Sequence, residues 1–438
     1  MLTLTGIELG LLGVGGLLLL VLLRVPVGVA LVLVGVLGNL AFLGVDATLA
    51  QLQLTIWESG SQVILVVLPL FILMGQLASE MDLGADLFRG FQIWLGRTRG
   101  GLAMSSVMSS ASFGVITGSS AASLMATTQI LLPQMRQRGY DEALAAGSVA
   151  SGSVLAILIP PSLPLVFYSA WTETSLGDLF AAALVPGCLL TLLFVLVILG
   201  QVWRTPSLAP RSEPTSWSEK LHALRYLVPT SAILFGVLAS IYLGIATPSE
   251  AAAIGVLGVV LAGVARGTFS WQALSTALSR SATLNANIFL LLLGGLLLGR
   301  FLVQTGLTPL LVKVVTAQSS TPEMGILSLV LLYLLLGAIL DTFSMIILTL
   351  PFVFPLVVGL GYDPVWFGVF LVVMCELGLI TPPIGLSAFL LNRLQPDVSL
   401  VSIYRGCIPF VLATLVLAAL LIFIPQIALW LPGYLKTG

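Results

Sequence analysis

The sequence predicts an all-α integral membrane protein built from two repeated halves of opposite orientation. Three observations carry this reading. Of the 438 residues, 58% are hydrophobic and only 8% are charged, whereas a soluble chain carries about 25% charged residues. Apolar windows long enough to cross a bilayer recur from end to end. Residues that set backbone geometry repeat at one fixed offset.

The plainest apolar windows are 11–23 with its flanks, 27–44, 63–77, 189–202 and 411–424. By the length that a membrane helix needs, the chain holds about ten to twelve such segments. The apolar N-terminus lacks a basic leader and a cleavage site, so it reads as the first span. Composition also excludes several classes of function. Cys188, Cys375 and Cys407 lie in apolar runs without metal spacing and read as buried small hydrophobes. The one histidine, His222, lies in the polar linker, which argues against a metalloenzyme. No Gly-x-x-x-x-Gly-Lys-Ser/Thr loop is present for nucleotide hydrolysis. The formal net charge of -1 points to no class of partner, and no nucleic acid is expected.

An offset of 222 residues carries Pro26 onto Pro248, Gly84 onto Gly306 and Pro133 onto Pro355. It also carries Gly139-Tyr140-Asp141 onto Gly361-Tyr362-Asp363, and Pro160-Pro161 onto Pro382-Pro383. Such coincidences are improbable in a Leu/Val-rich chain, so 1–203 and 226–438 read as structurally homologous halves. The polar stretch 204–225, with Pro206, Pro210 and Pro214, reads as the cytoplasmic linker.

Basic residues collect in cytoplasmic loops. Arg24, then Arg89, Arg97 and Arg99, then Arg136 and Arg138, then Arg204, Arg211, Lys220 and Arg225 are therefore expected inside. The counterpart of the first Gly-Tyr-Asp loop, 356–363, has no basic residue and is expected outside. That is an inverted repeat, the pattern of many secondary transporters. Arg393 and Arg405 return to the cytoplasm, whereas Arg300 and Lys313 fit this scheme less well.

Within the first half, Arg97/Arg99 and Arg136/Arg138 bracket 100–134 on one side, so that segment is expected to enter the membrane and return as a re-entrant hairpin. Its middle, 112–120, is rich in small polar residues. Irregular backbone is tolerated at that depth where protein buries it or a cavity adjoins it. The counterpart hairpin, 323–358, centres on 337–344 and includes Asp341. An ionisable residue within a membrane segment is a functional candidate by default. The alternative is a continuous helix pair packed through small residues.

Each half then carries an apolar helix interrupted by Pro-Pro, over 143–172 and 365–390. Proline has no N–H for the carbonyl four residues back. Pro160 and Pro161 are thus expected to free the carbonyls of Ala156 and Ile157, and Pro382 and Pro383 those of Gly378 and Leu379. A bound sodium ion, hard and oxygen-seeking, would satisfy such carbonyls together. Hydroxyls of Thr117, Ser119, Ser120, Thr342, Ser344 and Thr381 can add ligands.

These residues resemble the large membrane subunit of the tripartite ATP-independent periplasmic (TRAP) transporters. The matching stretches are Pro69-Leu70-Phe71-Ile72-Leu73-Met74-Gly75, 113–120, Arg138-Gly139-Tyr140-Asp141, Ile159-Pro160-Pro161-Ser162, Thr247-Pro248-Ser249-Glu250-Ala251-Ala252, Leu340-Asp341 and 378–385. The resemblance implies an elevator-type secondary transporter of the bacterial inner membrane, with a helical scaffold and a moving domain. It implies uptake of a small organic acid coupled to sodium, about two or more ions for the two repeated sites. It implies a small TRAP membrane subunit and a periplasmic substrate-binding protein as partners, besides membrane lipid. Carried over by position, the first sodium site would use Gly114, Thr117, Gly118, Ser119, Ser120, Ala156, Ile159 and Pro160. The second would use Gly337, Leu340, Asp341, Thr342, Ser344, Gly378, Thr381 and Pro382. Ser162, Glu376 and Gly385 would border the substrate path. The chain departs from the family where Met374 replaces a frequent Asn, and where Gly337-Ala338-Ile339-Leu340-Asp341 replaces Gly-Met-Phe-Leu-Asp.

For Glu376 two readings stand equal: it lines the transport path, or it pairs with a polar group of the moving domain. Glu250 reads as a helix-start charge. Asn285 and Asn287 are expected to join helices through their amides, and 46–60 and 268–277 to form surface helices. Two other functions compete with the transporter reading. A stand-alone ion-coupled transporter or channel would need no binding protein. An intramembrane enzyme lacks a nucleophile–base pair, since Ser119-Ser120 has no nearby His or Lys in sequence.

Overall fold

Short polar side chains start ten of the helices. In a computed structural model of the chain, Thr5, Ser119, Asp141, Ser175, Ser216, Thr247, Ser270, Asp341, Asp363 and Ser399 each accept a backbone N–H from the first turn of the helix that follows. Capping of this kind satisfies donors that a helix leaves open at its start. The structure describes residues 5–61, 66–96, 98–210, 216–318, 321–337, 340–382 and 385–437. Arg97, Arg211, Pro214, Ala338, Ile339, Pro383, Ile384 and positions 63–65 of the third apolar window lie outside the described residues.

Among the described residues the fold is helical, without strands. The first half runs α1 (Gly6–Leu22), α2 (Val27–Leu43), α3 (Val45–Ser61), α4 (Val67–Glu80), α5 (Leu83–Leu95), α6 (Gly101–Thr117), α7 (Ser120–Ile130), α8 (Leu132–Gln137), α9 (Glu142–Leu158), α10 (Leu163–Thr172) and α11 (Leu176–Arg204). A 3-10 turn at Pro206–Leu208 leads on to α12 (Trp217–Tyr242), α13 (Pro248–Arg266), α14 (Trp271–Gln304), α15 (Leu307–Gln318), α16 (Pro322–Gly337), α17 (Thr342–Gly359), α18 (Pro364–Ile380), α19 (Leu386–Leu394), α20 (Leu400–Phe423) and α21 (Gln426–Thr437).

The offset of 222 carries both ends of α9 onto α18, and the start of α7 onto the start of α17. It fails elsewhere. The separate helices α3 and α4 correspond to one 34-residue helix, α14. The surface helix expected over 268–277 is therefore the first part of α14 from Trp271 onward. The polar stretch 204–225 is also not all linker, because Ser216 and Glu219 form a capping box that starts α12 at Trp217.

The chain turns sharply between α6 and α7. Gly118 takes φ 57, ψ 22, and its N–H returns to Gly114 O at 2.6 Å. A left-handed residue at a helix C-cap favours glycine. The helix α9 ends because Ile159, held by the following proline, takes φ -84, ψ 123. Thr381 before Pro382 does the same at the end of α18, with φ -93, ψ 132.

Helices α9 and α18 form the buried centre, with nearly all of their residues out of contact with the surroundings. Tyr168 of α10 donates its hydroxyl to Pro364 O at 2.6 Å, and Trp366 Nε1 donates to Leu421 O at 2.8 Å. Around this centre the outer helices expose leucines such as Leu11, Leu19, Leu22, Leu257 and Leu261. Seven helical segments among the described residues, with α9 and α10 taken together, are long and apolar enough to cross a membrane, and shorter apolar helices such as α6, α16 and α18 supplement them. The expected ten to twelve segments thus include several that fall short of a full span on their own.

Arg300, which fits the charge pattern poorly, finds partners from a distant segment. Arg300 pairs with Glu58 and donates to Thr55 Oγ1 at 2.9 Å. Asn285 donates to Ser281 O within its own helix, which does not join helices as expected. That task falls to Asn39, whose amide bonds Leu297 O of α14 at 3.2 Å. Cys188 is exposed, contrary to the expectation of burial, whereas Cys375 and Cys407 are buried.

Candidate ion and substrate site

Two pairs of helix C-termini meet at unusually short range. A Cβ on Gly114 would lie 1.9 Å from Ala156 Cα, so α6 and α9 approach backbone to backbone just before their ends. A Cβ on Gly337 would lie 2.4 Å from Gly378 Cα, which brings α16 against α18 in the same way. Helix C-termini carry unpaired carbonyls and the negative end of the helix dipole. Each junction therefore offers a place where a cation is favoured.

At the first junction, Gly114, Thr117, Gly118, Ala156, Ile159 and Pro160 occupy the ends of α6 and α9. Thr117 donates its hydroxyl to Phe113 O at 3.2 Å, which leaves oxygen lone pairs for a cation. Gly75 of α4 packs on this corner, where a Cβ would lie 2.9 Å from Thr117 O. Ser119 acts as the N-cap of α7 through Ala122 N at 3.3 Å, and Ser120 begins that helix.

At the second junction, Gly337 and Leu340 close α16, while Gly378, Thr381 and Pro382 end α18. The Gly378 carbonyl, expected to be free, accepts Thr381 N at 3.3 Å, because the chain tightens by one residue before the proline. Thr381 donates its hydroxyl to Leu377 O at 2.6 Å. Asp341 is the N-cap of α17: its Oδ1 accepts Phe343 N at 3.0 Å and Ser344 N at 3.2 Å, and its Oδ2 accepts Ser344 Oγ at 2.5 Å. Asp341 and Ser119 therefore hold equivalent caps, one charged and one neutral.

Glu376 lies between the two junctions. It is buried in α18, at 2% exposure. Its Oε2 accepts Ser120 Oγ at 2.6 Å, and its Oε1 accepts Thr342 Oγ1 at 2.7 Å. Of the two sequence readings, this geometry realises the pairing with polar groups. The convergence of both hairpin tips on one carboxylate was not foreseen, although Ser120 and Thr342 are equivalent at the offset of 222. Ser162, the N-cap of α10, is fully buried and its hydroxyl has no partner among the described residues. Gly385, the N-cap of α19 with φ 52, would place a Cβ 3.1 Å from both Leu379 O and Thr381 O. A side chain there would collide with the carbonyls at the break.

The donors at the junctions are hard oxygens, which suit an alkali cation. The helix N-termini of α7, α10, α17 and α19 begin beside them and present N–H groups, which suit an anionic group. Adjoining cation and anion preferences at broken helices mark secondary transporters.

Solved structures share this fold. The chain superposes on the Alcanivorax borkumensis YdaH transporter with TM-score 0.55 at 16% identity, covering 89% of this chain and 90% of that one. It superposes on MtrF of Neisseria gonorrhoeae, from a class of antimetabolite efflux pumps, with TM-score 0.56 at 11% identity, covering 86% and 85%. The fold, shared with these two transporters, is that of an all-α membrane protein.

The sequence profile of the tripartite ATP-independent periplasmic transporter DctM component matches residues 14–427, and the chain belongs to that family. It is 32% identical over 390 residues to the C4-dicarboxylate TRAP transporter large permease protein DctM of Pseudomonas aeruginosa, covering 88% of this chain and 90% of that protein. It is 28% identical over 371 residues to the sialic acid permease SiaM of Vibrio cholerae, covering 84% and 86%. It is 27% identical over 372 residues to the ectoine permease TeaC of Halomonas elongata, covering 84% and 86%. The chain is a multi-pass protein of the bacterial inner membrane, a transport permease and not an enzyme.

Proposed function

We propose that the chain couples sodium entry to uptake of a small organic acid, as the large subunit of a complex with a small membrane subunit and a periplasmic substrate-binding protein. The observation that carries this reading is the pair of helix-end junctions, Gly114 on Ala156 and Gly337 on Gly378, in corresponding parts of the two halves. Each would hold one sodium ion. Carbonyls at the ends of α6 and α9, with the oxygens of Thr117 and Ser119, would serve the first. Carbonyls at the ends of α16 and α18, with Asp341, Thr342, Ser344 and Thr381, would serve the second. Substrate carboxylate would meet the N-termini of α10 and α19 near Ser162 and Gly385. The halves 1–203 and 226–438 would be inverted in the membrane. The two hairpins, α6–α7 and α16–α17, would enter from opposite faces and move with the broken helices α9–α10 and α18–α19 as an elevator against the outer helices.

The partners and the acid cargo follow from the family and from relatives named for C4-dicarboxylates and sialic acid. The test is uptake into proteoliposomes under an imposed sodium gradient, with the small subunit and with or without the binding protein. Sodium-dependent uptake that requires the binding protein is expected. Uptake at full rate on a proton gradient without sodium would overturn the coupling, and uptake without the binding protein would point to a stand-alone transporter.

A further inference from the structure

Glu376 is the one carboxylate buried among the described residues, and none of the described ion pairs includes it. A carboxylate so placed is costly within a membrane segment and is a functional candidate by default. The broken helix of the first half has no counterpart to it, because the offset of 222 sets the buried Val154 where Glu376 stands in the second. One acid therefore serves both halves.

What it serves is the pair of hairpin tips. Ser120, bonded to one carboxylate oxygen at 2.6 Å, is the first residue of α7, directly after the Gly118–Ser119 turn. Thr342, bonded to the other at 2.7 Å, is the first residue of α17, directly after the Asp341 cap. All three residues are buried. Hydrogen bonds to an ionised acceptor are the stronger kind, and those shielded from water the more so. Neither tip can shift without stretching its bond, and Glu376 cannot follow one tip without drawing on the other.

We propose that Glu376 is a positioning residue that makes sodium binding at the two junctions cooperative, an inference that rests on the reading of the junctions as sodium sites. Residues 117–120 belong to the first junction and 340–344 to the second. An ion that fixes one tip fixes the carboxylate, and the carboxylate then holds the other tip in place before its own ion arrives. The cost of ordering the tips is met once for two ions. The coupling is reciprocal, so each ion raises the affinity for the other. The device is the pair of hydrogen bonds. A carboxylate that only attracted cations would need neither hydroxyl.

Equilibrium binding of radioactive sodium to the full chain with its small subunit, at an ionic strength held constant with choline chloride, tests this. The unaltered protein should bind with a Hill coefficient approaching the number of sites, about 2, and Glu376→Met should lower it to about 1. Glu376→Gln should keep most of the cooperativity, because an amide still accepts from one hydroxyl and donates to the other. Where Glu376→Met does not fold, Ser120→Ala cuts the same tie from the first tip and should also bring the coefficient to about 1, with both ions still bound at saturation. Two ions bound independently by the unaltered protein, or undiminished cooperativity in Glu376→Met, would overturn the inference and leave the sodium sites standing. Cooperativity lost as fully in Glu376→Gln as in Glu376→Met would assign the effect to charge and overturn the tie. No sodium bound by the unaltered protein would overturn the sodium sites themselves, and this inference with them.

Discussion

Ser120 and Thr342, equivalent positions of the two halves, donate their hydroxyls at 2.6 and 2.7 Å to opposite oxygens of the Glu376 carboxylate. Each residue opens the second helix of a hairpin, α7 or α17, so one buried side chain ties the two tips to α18 and to each other. Substitution of Ser120 by Ala and of Thr342 by Val should therefore be coupled, by about 0.5–3 kcal/mol in a double-mutant cycle. The coupling should vanish in a Glu376→Ala background, because the hydroxyls meet only through the carboxylate. Glu376→Gln should fold but lose roughly 1–3 kcal/mol, since one hydroxyl must turn round to accept from the amide. Thermal melting in detergent measures each value. Strictly additive effects would show that the tips act independently.

The junctions make a second prediction. Gly114→Ala and Gly337→Ala place a methyl 1.9 Å and 2.4 Å from the backbone of the facing helix. Backbone cannot rotate away as a flexible side chain can, so the helices must separate. A loss of about 1–3 kcal/mol is expected from overpacking, against a small gain from replacing a helical glycine. Gly15→Ala, where a Cβ meets nothing within 4 Å, should be neutral or stabilising. If the junctions hold ions, the first two variants should also abolish sodium-dependent uptake. Uptake and melting equal to those of Gly15→Ala would sink the idea that the close approach matters.

Much of this site was legible in the sequence because its devices are local. A proline removes one N–H and forces the preceding residue to be extended, so the ends of α9 and α18 follow from Pro160 and Pro382. Gly118 followed by Ser119 is a C-cap glycine and an N-cap in succession, and the turn falls there. The start of α12 is equally local, a Ser216-x-x-Glu219 capping box, but it lies inside the polar stretch read as linker. What was not legible depends on contact between distant segments. Glu376 has no neighbour in sequence that announces Ser120, and Arg300 none that announces Glu58. Asn285 and Asn39 have the same side chain, and only packing decides which reaches another helix.

The inverted arrangement is testable by labelling. Gln137, at the end of α8, and Leu360, after α17, precede the two Gly-Tyr-Asp loops. Single cysteines there should react with a membrane-impermeant maleimide from opposite sides in right-side-out and inverted vesicles. Cys188 is exposed and must first be replaced by Ser, while the buried Cys375 and Cys407 can remain. Reaction of both positions from one side would remove the inverted repeat and the equivalence of the two junctions with it.

Asp341 separates a structural role from an ionic one. Its carboxylate caps α17 with two backbone N–H groups and the Ser344 hydroxyl. Ser119 caps α7 with a single N–H. Asparagine caps helices about as well as aspartate, so Asp341→Asn keeps the turn and removes only the charge. If that charge helps to hold sodium at the second junction, the sodium concentration for half-maximal uptake should rise by about tenfold or more, equivalent to roughly 1.4 kcal/mol of lost binding. Melting without sodium should scarcely change. Asp341→Ala loses cap and charge together and should also melt lower by about 0.5–2 kcal/mol. Ser119→Ala should lose stability in that same range but shift the sodium dependence little, because the carbonyls at the end of α9 remain. Unchanged sodium dependence in Asp341→Asn would leave this aspartate as a helix cap and nothing more. The second junction would then depend on the backbone of α16 and α18 with Thr381.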